Sequence, residues 1–127
     1  MADAEIVDLR DHTCLPGLID MHVHVDGYPE DADDYRIYLR RTHDDTMKIA
    51  AEISEIILKS GFTTARNVGT YMAWVARDVR DQIDAGEVPG PRLRVAGIKL
   101  TAHAHSAESI KDAILAGVDS IKIRISQ

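Results

Sequence analysis

The spacing of apolar residues changes period several times along the chain, and the changes mark out a repeating unit. Leu18-Ile19-Asp20-Met21-His22-Val23-His24-Val25 ends in alternation, the period of a strand with two unlike faces. Residues 26–34 contain Gly27 and Pro29 and read as a loop. From about Asp34 the chain can be helical. Between Asp44 and Ser60 the positions Ile49, Ile53, Ile56 and Ile57 fall on one helical face, Asp44 or Asp45 can cap the start, and Gly61 suits a left-handed stop.

The pattern then repeats. Phe62–Val68 is rich in strand formers, and Thr70 can cap a helix that carries Met72, Val75, Ala76, Val79 and Ile83 on one face. Gly86 ends that helix and Pro89-Gly90-Pro91 makes a loop. Leu93–Leu100 is the next strand. Ser106 can cap a third helix with Ile110, Ala113 and Ile114 inward, Gly117 ends it, and Val118–Ile125 forms a last strand. Residues 5–9 read as a short leading strand. Strands alternating with helices predict right-handed crossovers and a parallel α/β sheet in a single domain, residues 1–127.

Composition narrows this picture. The 127 residues suffice for one core but fall short of the ~250 of a complete eight-fold β/α barrel. A net charge of −6 repels phosphate backbones and argues against a nucleic-acid partner. The acidic runs Glu30–Asp34 and Asp44–Asp45 read as solvated. Cys14 is the sole cysteine, which excludes an internal disulfide and fits a reducing compartment; it is expected as a small buried hydrophobe. The acidic start lacks a secretory pattern, and no apolar run approaches the ~20 residues of a membrane span. A cytoplasmic location and no membrane partner are the expectations.

Three features carry candidate chemistry. His22 and His24 share one face of a strand end, where two imidazoles can chelate one divalent metal. Surface or core histidines are the bland alternative. His103 and His105 form a second such pair just past a strand and before a helix; one of them facing the site is the bland reading there. Lys122 lies in the last strand opposite Ile121 and Ile123, which is unusual for a parallel sheet covered on both faces. An edge strand with Lys122 and Arg124 in water explains it equally. Asp20 shares the face of His22 one layer deeper and reads as structural. His12 and His43 are expected in solvent.

Pro16-Gly17-Leu18-Ile19-Asp20-Met21-His22-Val23-His24 resembles the signature of the amidohydrolase superfamily. Gly61–Gly69 and Gly86–Leu93 resemble the second-strand motif and third-strand lead-in of its imidazolonepropionase-like and Xaa-Pro dipeptidase-like members. The resemblance implies a partial (β/α)8 barrel of about four parallel strands and three helices, with residues 1–14 a remnant of a flanking β-sandwich. It implies hydrolysis of C–N bonds in a small-molecule substrate by water activated on one or two divalent metals, commonly zinc. His22 and His24 match the first-strand ligands.

The last third admits two alignments. In one, Leu93–Thr101 and Asp119–Ser126 are strands three and four, and Lys122 matches a lysine that carbon dioxide converts to a bridging carbamate. In the other, His103 and His105 match a fifth-strand motif in which one histidine binds metal. We place His105 and Lys122 both near the site. Neither alignment reaches the eighth-strand aspartate that handles the proton, and Asn67 stands where many relatives have Asp. The alternative reading is therefore a non-catalytic metal-binding half barrel or an inactive truncated fragment. Open edges at the first and last strands favour self-association.

Overall fold

The computed structural model describes residues 4–72, 74–97, 100–101 and 106–124. Its elements run β1 (Leu18–Val23), two 3-10 turns (Pro29–Asp33 and Tyr35–Leu39), α1 (His43–Lys59), β2 (Phe62–Asn67), α2 (Val75–Asp84), β3 (Arg92–Val95), β4 (Leu100–Thr101), α3 (Ser106–Leu115) and β5 (Ile123–Arg124). β1, β2 and β3 form a parallel sheet in that order, and β4 pairs in parallel with β5.

The first crossover starts at Thr42 rather than at Asp44 or Asp45. Its hydroxyl accepts the Asp45 N–H, and the Asp45 carboxylate accepts the N–H and hydroxyl of Thr42. The buried face of α1 is Thr46, Ala50 and Ser54, with Met47, Ile53 and Ile57 flanking the core, whereas Ile56 is exposed. Small side chains let the helix lie close to its neighbours, and the bulkier isoleucines fill the margins. Gly61, at a φ of +92°, turns the chain into β2.

The second crossover differs from its expectation as well. Thr70 caps nothing; it is buried, with its N–H on the Gly97 carbonyl at 3.0 Å. The helix begins after Trp74, a left-handed residue at a φ of +73°, with the Arg77 guanidinium 5.4 Å from its ring centre. Val75, Ala76 and Val79 then face the core beside Val25, Ala50, Ala65, Leu93 and Val95.

Both longer strand expectations are shortened. Beyond β3, the free edge is closed by Asp119, not by a strand. Its N–H donates to the Val95 carbonyl at 2.8 Å, and its carboxylate accepts the Val95 N–H at 2.9 Å. Only Ile123–Arg124 of the last predicted strand is extended and paired among the described residues.

Residues 5–9 are not a strand. Ile6, Val7 and Leu9 are exposed, and no described segment supplies the ladder that a strand requires. Cys14 is also exposed rather than buried. The segment that carries it meets no core.

Candidate functional site

In β2 and β3 alternate residues part cleanly. Ala65, Asn67, Leu93 and Val95 are buried on the helix side, while Arg66 and Arg94 pair in register on the opposite, open face. Val23 is in register with Asn67, so His22 and His24 alternate to that open face. Arg66 reaches back across it and donates from Nε to the Met21 carbonyl at 2.9 Å. A basic side chain in a parallel strand is therefore not peculiar to Lys122 in this chain.

His22 and His24 come together at the C-terminal end of β1, with ring centres 5.6 Å apart and planes 72° from one another. Both residues are exposed. The His24 Nδ1 lies 2.8 Å from the Gly69 carbonyl. A carbonyl only accepts, so Nδ1 carries the hydrogen and the Nε2 lone pair of the neutral ring points away from this anchor. Metal-binding histidines are oriented in this manner. The Asp20 carboxylate accepts the His22 N–H at 2.9 Å, which helps to fix the strand backbone there.

The loop after β2 is what holds His24. Gly69 sits at a φ of +114°, and its N–H donates to the buried Asn67 Oδ1 at 3.0 Å. The Asn67 Nδ2 is buried without a hydrogen-bond partner. Two residues on, the Tyr71 N–H donates to the buried Asp26 carboxylate at 2.6 Å. The residues after β2 are thus tied to His24 and Asp26, just beyond β1, and through the Val68 N–H to the Val23 carbonyl of β1 itself.

The sequence does not single out Asp26, and Asn67 stands out only as the position where many relatives have Asp, although both leave a further signal. Asp26 continues the i, i+2, i+4 series of His22 and His24. Asn67 precedes a glycine by two residues, the spacing of an Asx turn.

Beside His24 a cavity of about 530 Å³ opens between α1 and the two 3-10 turns. The turns are fixed by Arg41, which donates to both oxygens of the buried Asp31 carboxylate and lies 5.9 Å and 5.7 Å from the ring centres of Tyr28 and Tyr38. Hydrogen bonds from Arg41 hold the Asp31 carboxyl below the usual carboxylate range. Burial, with Asp26 and Asp31 nearby, pushes the Tyr38 hydroxyl up to about 12, so it stays protonated at neutral pH.

The other histidines and Lys122 do not join this pair among the described residues. Lys122 is half-buried and immediately precedes β5, which pairs with β4 and not with the sheet of His22 and His24. His103 and His105 lie outside the described residues. His12 is exposed, and His43 contacts Asp78 from Nε2 at 3.0 Å while half open to solvent. Among the described residues no three His, Cys, Asp or Glu side chains gather as a metal site. No helix of the described residues is long and apolar enough to cross a membrane.

The amidohydrolase family model matches residues 13–125. A crystal structure of a Xaa-Pro dipeptidase with methionine bound in its active site is 31% identical, with a TM-score of 0.75 over 92% of this chain and 35% of that one. A prolidase in complex with N-methylphosphonate-L-proline is 20% identical, with a TM-score of 0.77 over 97% of this chain and 36% of that one, a likeness of fold. An ochratoxinase from A. niger is 25% identical, with a TM-score of 0.58 over 71% of this chain and 20% of that one. The chain spans about a third of the length of the dipeptidase and the prolidase. No curated protein matches it.

Proposed function

Since the chain belongs to the amidohydrolase family and its sheet is an open part of that family's (β/α)8 barrel, we propose that it contributes the first metal-binding strand to a hydrolase of amide C–N bonds. The observation that carries this reading is the anchoring of His24 by the Gly69 carbonyl, which leaves Nε2 available on the face that His22 shares. The donor set suits a borderline cation such as zinc.

A divalent metal held there would supply an activated water and a Lewis acid for the scissile carbonyl. His22 and His24 would hold that ion. Lys122, as a carbamate formed with carbon dioxide and loss of a proton, would offer an oxygen donor, and His103 or His105 an imidazole. The Asp20 and Asp26 carboxylates each accept a peptide N–H and so position the backbone around the histidines. Small amides, Xaa-Pro dipeptides first among them, are the substrates to try, because the 31% identical structure is a Xaa-Pro dipeptidase.

One observation favours a second reading, a metal-binding half barrel without turnover: no third ligand joins the histidines among the described residues. Self-association through the edge of β1, where Leu18, Ile19 and Met21 are exposed, is the route by which such a chain would complete a site.

The test is a zinc titration by calorimetry followed by hydrolysis of Xaa-Pro dipeptides, with chelator and with His22→Ala. Chelator-sensitive turnover abolished by His22→Ala supports the enzyme. Zinc binding without turnover supports the half barrel. Zinc uptake unchanged by His22→Ala overturns both.

A further inference from the structure

Strand β1 does not keep one register along β2. Leu18 lies opposite Phe62. The pairing then slips by one position, to Ile19 opposite Thr64 and Asp20 opposite Ala65, and returns to the first register at Val23 opposite Asn67. Between the last two pairs β1 has two residues, Met21 and His22, against the single residue Arg66 of β2, which is the count of a β-bulge.

The bulge decides which way His22 faces. Ala65 and Asn67 are buried on the helix side. Continued without the bulge, the register of Asp20 with Ala65 would set His22 opposite Asn67, on the helix side. With it, His22 is exposed and its ring centre lies 5.6 Å from that of His24.

Side chains hold both ends of the peptide group at the bulge. The Met21 carbonyl accepts from Arg66 Nε at 2.9 Å, and the His22 N–H donates to the Asp20 carboxylate at 2.9 Å. Arg66 has no ion pair among the described residues to explain its place on the open face. Its register partner Arg94, by contrast, pairs with Asp119 at 2.9 Å.

We propose that Arg66 is a positioning residue, which holds the Met21–His22 peptide in the bulge and so keeps His22 on the open face beside His24. The proposal rests on the proposed function for the ion that the two rings would share, but the placing of His22 is a property of the metal-free chain.

The sign of the metal effect separates positioning from charge. Removing a cation from beside a bound divalent ion favours binding. Loss of an outer support lowers metal affinity, by about 10–100-fold. A fall in affinity in Arg66→Met therefore reports lost positioning.

The experiment is NMR of the whole chain without metal, followed by calorimetric zinc titration, for the unaltered chain, Arg66→Met, Arg66→Lys and Arg94→Met. The unaltered chain should show nuclear Overhauser contacts between the two imidazole rings and from the Arg66 Nε hydrogen to Met21. In Arg66→Met the ring contacts should vanish and zinc affinity should fall about 10–100-fold. Arg66→Lys keeps a donor and should recover part of both. Arg94→Met loses the same charge from the same face and should keep both.

Ring contacts retained in Arg66→Met overturn the proposal, as does a zinc affinity that holds or rises there, or an equal loss in Arg94→Met. If Arg66→Met does not fold, the unaltered chain decides, because absence of the contact from the Arg66 Nε hydrogen to Met21 removes the support. No zinc uptake by the unaltered chain sinks the hydrolase reading alone, since the ring contacts and their loss in Arg66→Met are read without metal.

Discussion

Asn67→Leu separates the orienting of His24 from the stability of the fold. The side chains are of similar size and the site is fully buried, so the change alters polarity with little change in volume. Two effects on stability oppose one another. The Gly69 N–H loses its acceptor, at about 1–3 kcal/mol for a buried unpaired donor. The orphaned Nδ2 disappears, which removes a penalty of the same order, about 1–3 kcal/mol. The net change in unfolding free energy should therefore stay within about 2 kcal/mol of either sign.

The effect on metal is not balanced. Gly69, at a φ of +114°, loses the bond that sets its peptide, and its carbonyl no longer faces His24 in one orientation. Loss of such an outer support lowers metal affinity by about 10–100-fold, which is about 1.4–2.8 kcal/mol. Calorimetric zinc titration and urea denaturation measure the two quantities side by side. Nitrogen shifts of the His24 ring report whether Nδ1 still carries the hydrogen. Asn67→Asp is the companion variant: it keeps the acceptor for Gly69 and should retain zinc affinity, while burying a carboxylate costs roughly 2 kcal/mol or more. Zinc affinity unchanged in Asn67→Leu would refute the reasoning.

Ser54→Ala should stabilise the chain by about 1 kcal/mol in urea denaturation, because the Ser54 hydroxyl is buried without a partner and Ala suits the helix interior better; a loss of stability would contradict the packing described for α1. Arg41→Met should cost about 2–4 kcal/mol, since it strands the Asp31 carboxylate among aromatic rings with only the Tyr28 N–H remaining; thermal melting reads the loss. Acid should weaken the fold in a defined window. At Asp119 burial raises the carboxyl, but the Val95 N–H, Arg94 and Arg80 outweigh it and hold it low, as Arg41 holds Asp31. Folded values below the unfolded ones mean that this stabilisation is complete above about pH 4 and is lost as pH falls through the lowered values. A stability that rises on acidification from pH 5 to pH 3 would reverse the sign of this account.

The repeating unit was readable because its punctuation is local. Gly61, Gly86 and Gly117 end the three helices at φ values of +92°, +75° and +73°, a conformation that other residues adopt at a cost. Alternation in residues 22–25 put both histidines on one face for the same reason. What the pattern hid depends on neighbours far along the chain. Ile49 and Ile56 look like core by hydropathy, yet Ala50 and Ser54 are the residues under α2 and the Pro89–Pro91 turn, where a Cβ on Gly90 would stand 3.1 Å from that of Ser54. Thr70 has the chemistry of a cap, but the Gly97 carbonyl, 27 residues away, takes its N–H and delays the helix to Val75. Ile6, Val7 and Leu9 are apolar enough to read as a strand and find no ladder among the described residues.

The bonds from Arg66 to Met21, from His24 to Gly69 and from Tyr71 to Asp26 each join residues 45 positions apart. These bonds pin both ends of the segment between them, so the chain is unequally tolerant of insertions. Residues added among 27–41 lengthen a loop whose ends stay pinned, and doubling a loop costs only about 0.6 kcal/mol. A single residue inserted between Leu18 and Val23 has no loop to absorb it, and a slip of one position turns both imidazoles away from the open face toward the helices. Homologous chains should therefore vary in length within the turns before α1 and hold their length through β1.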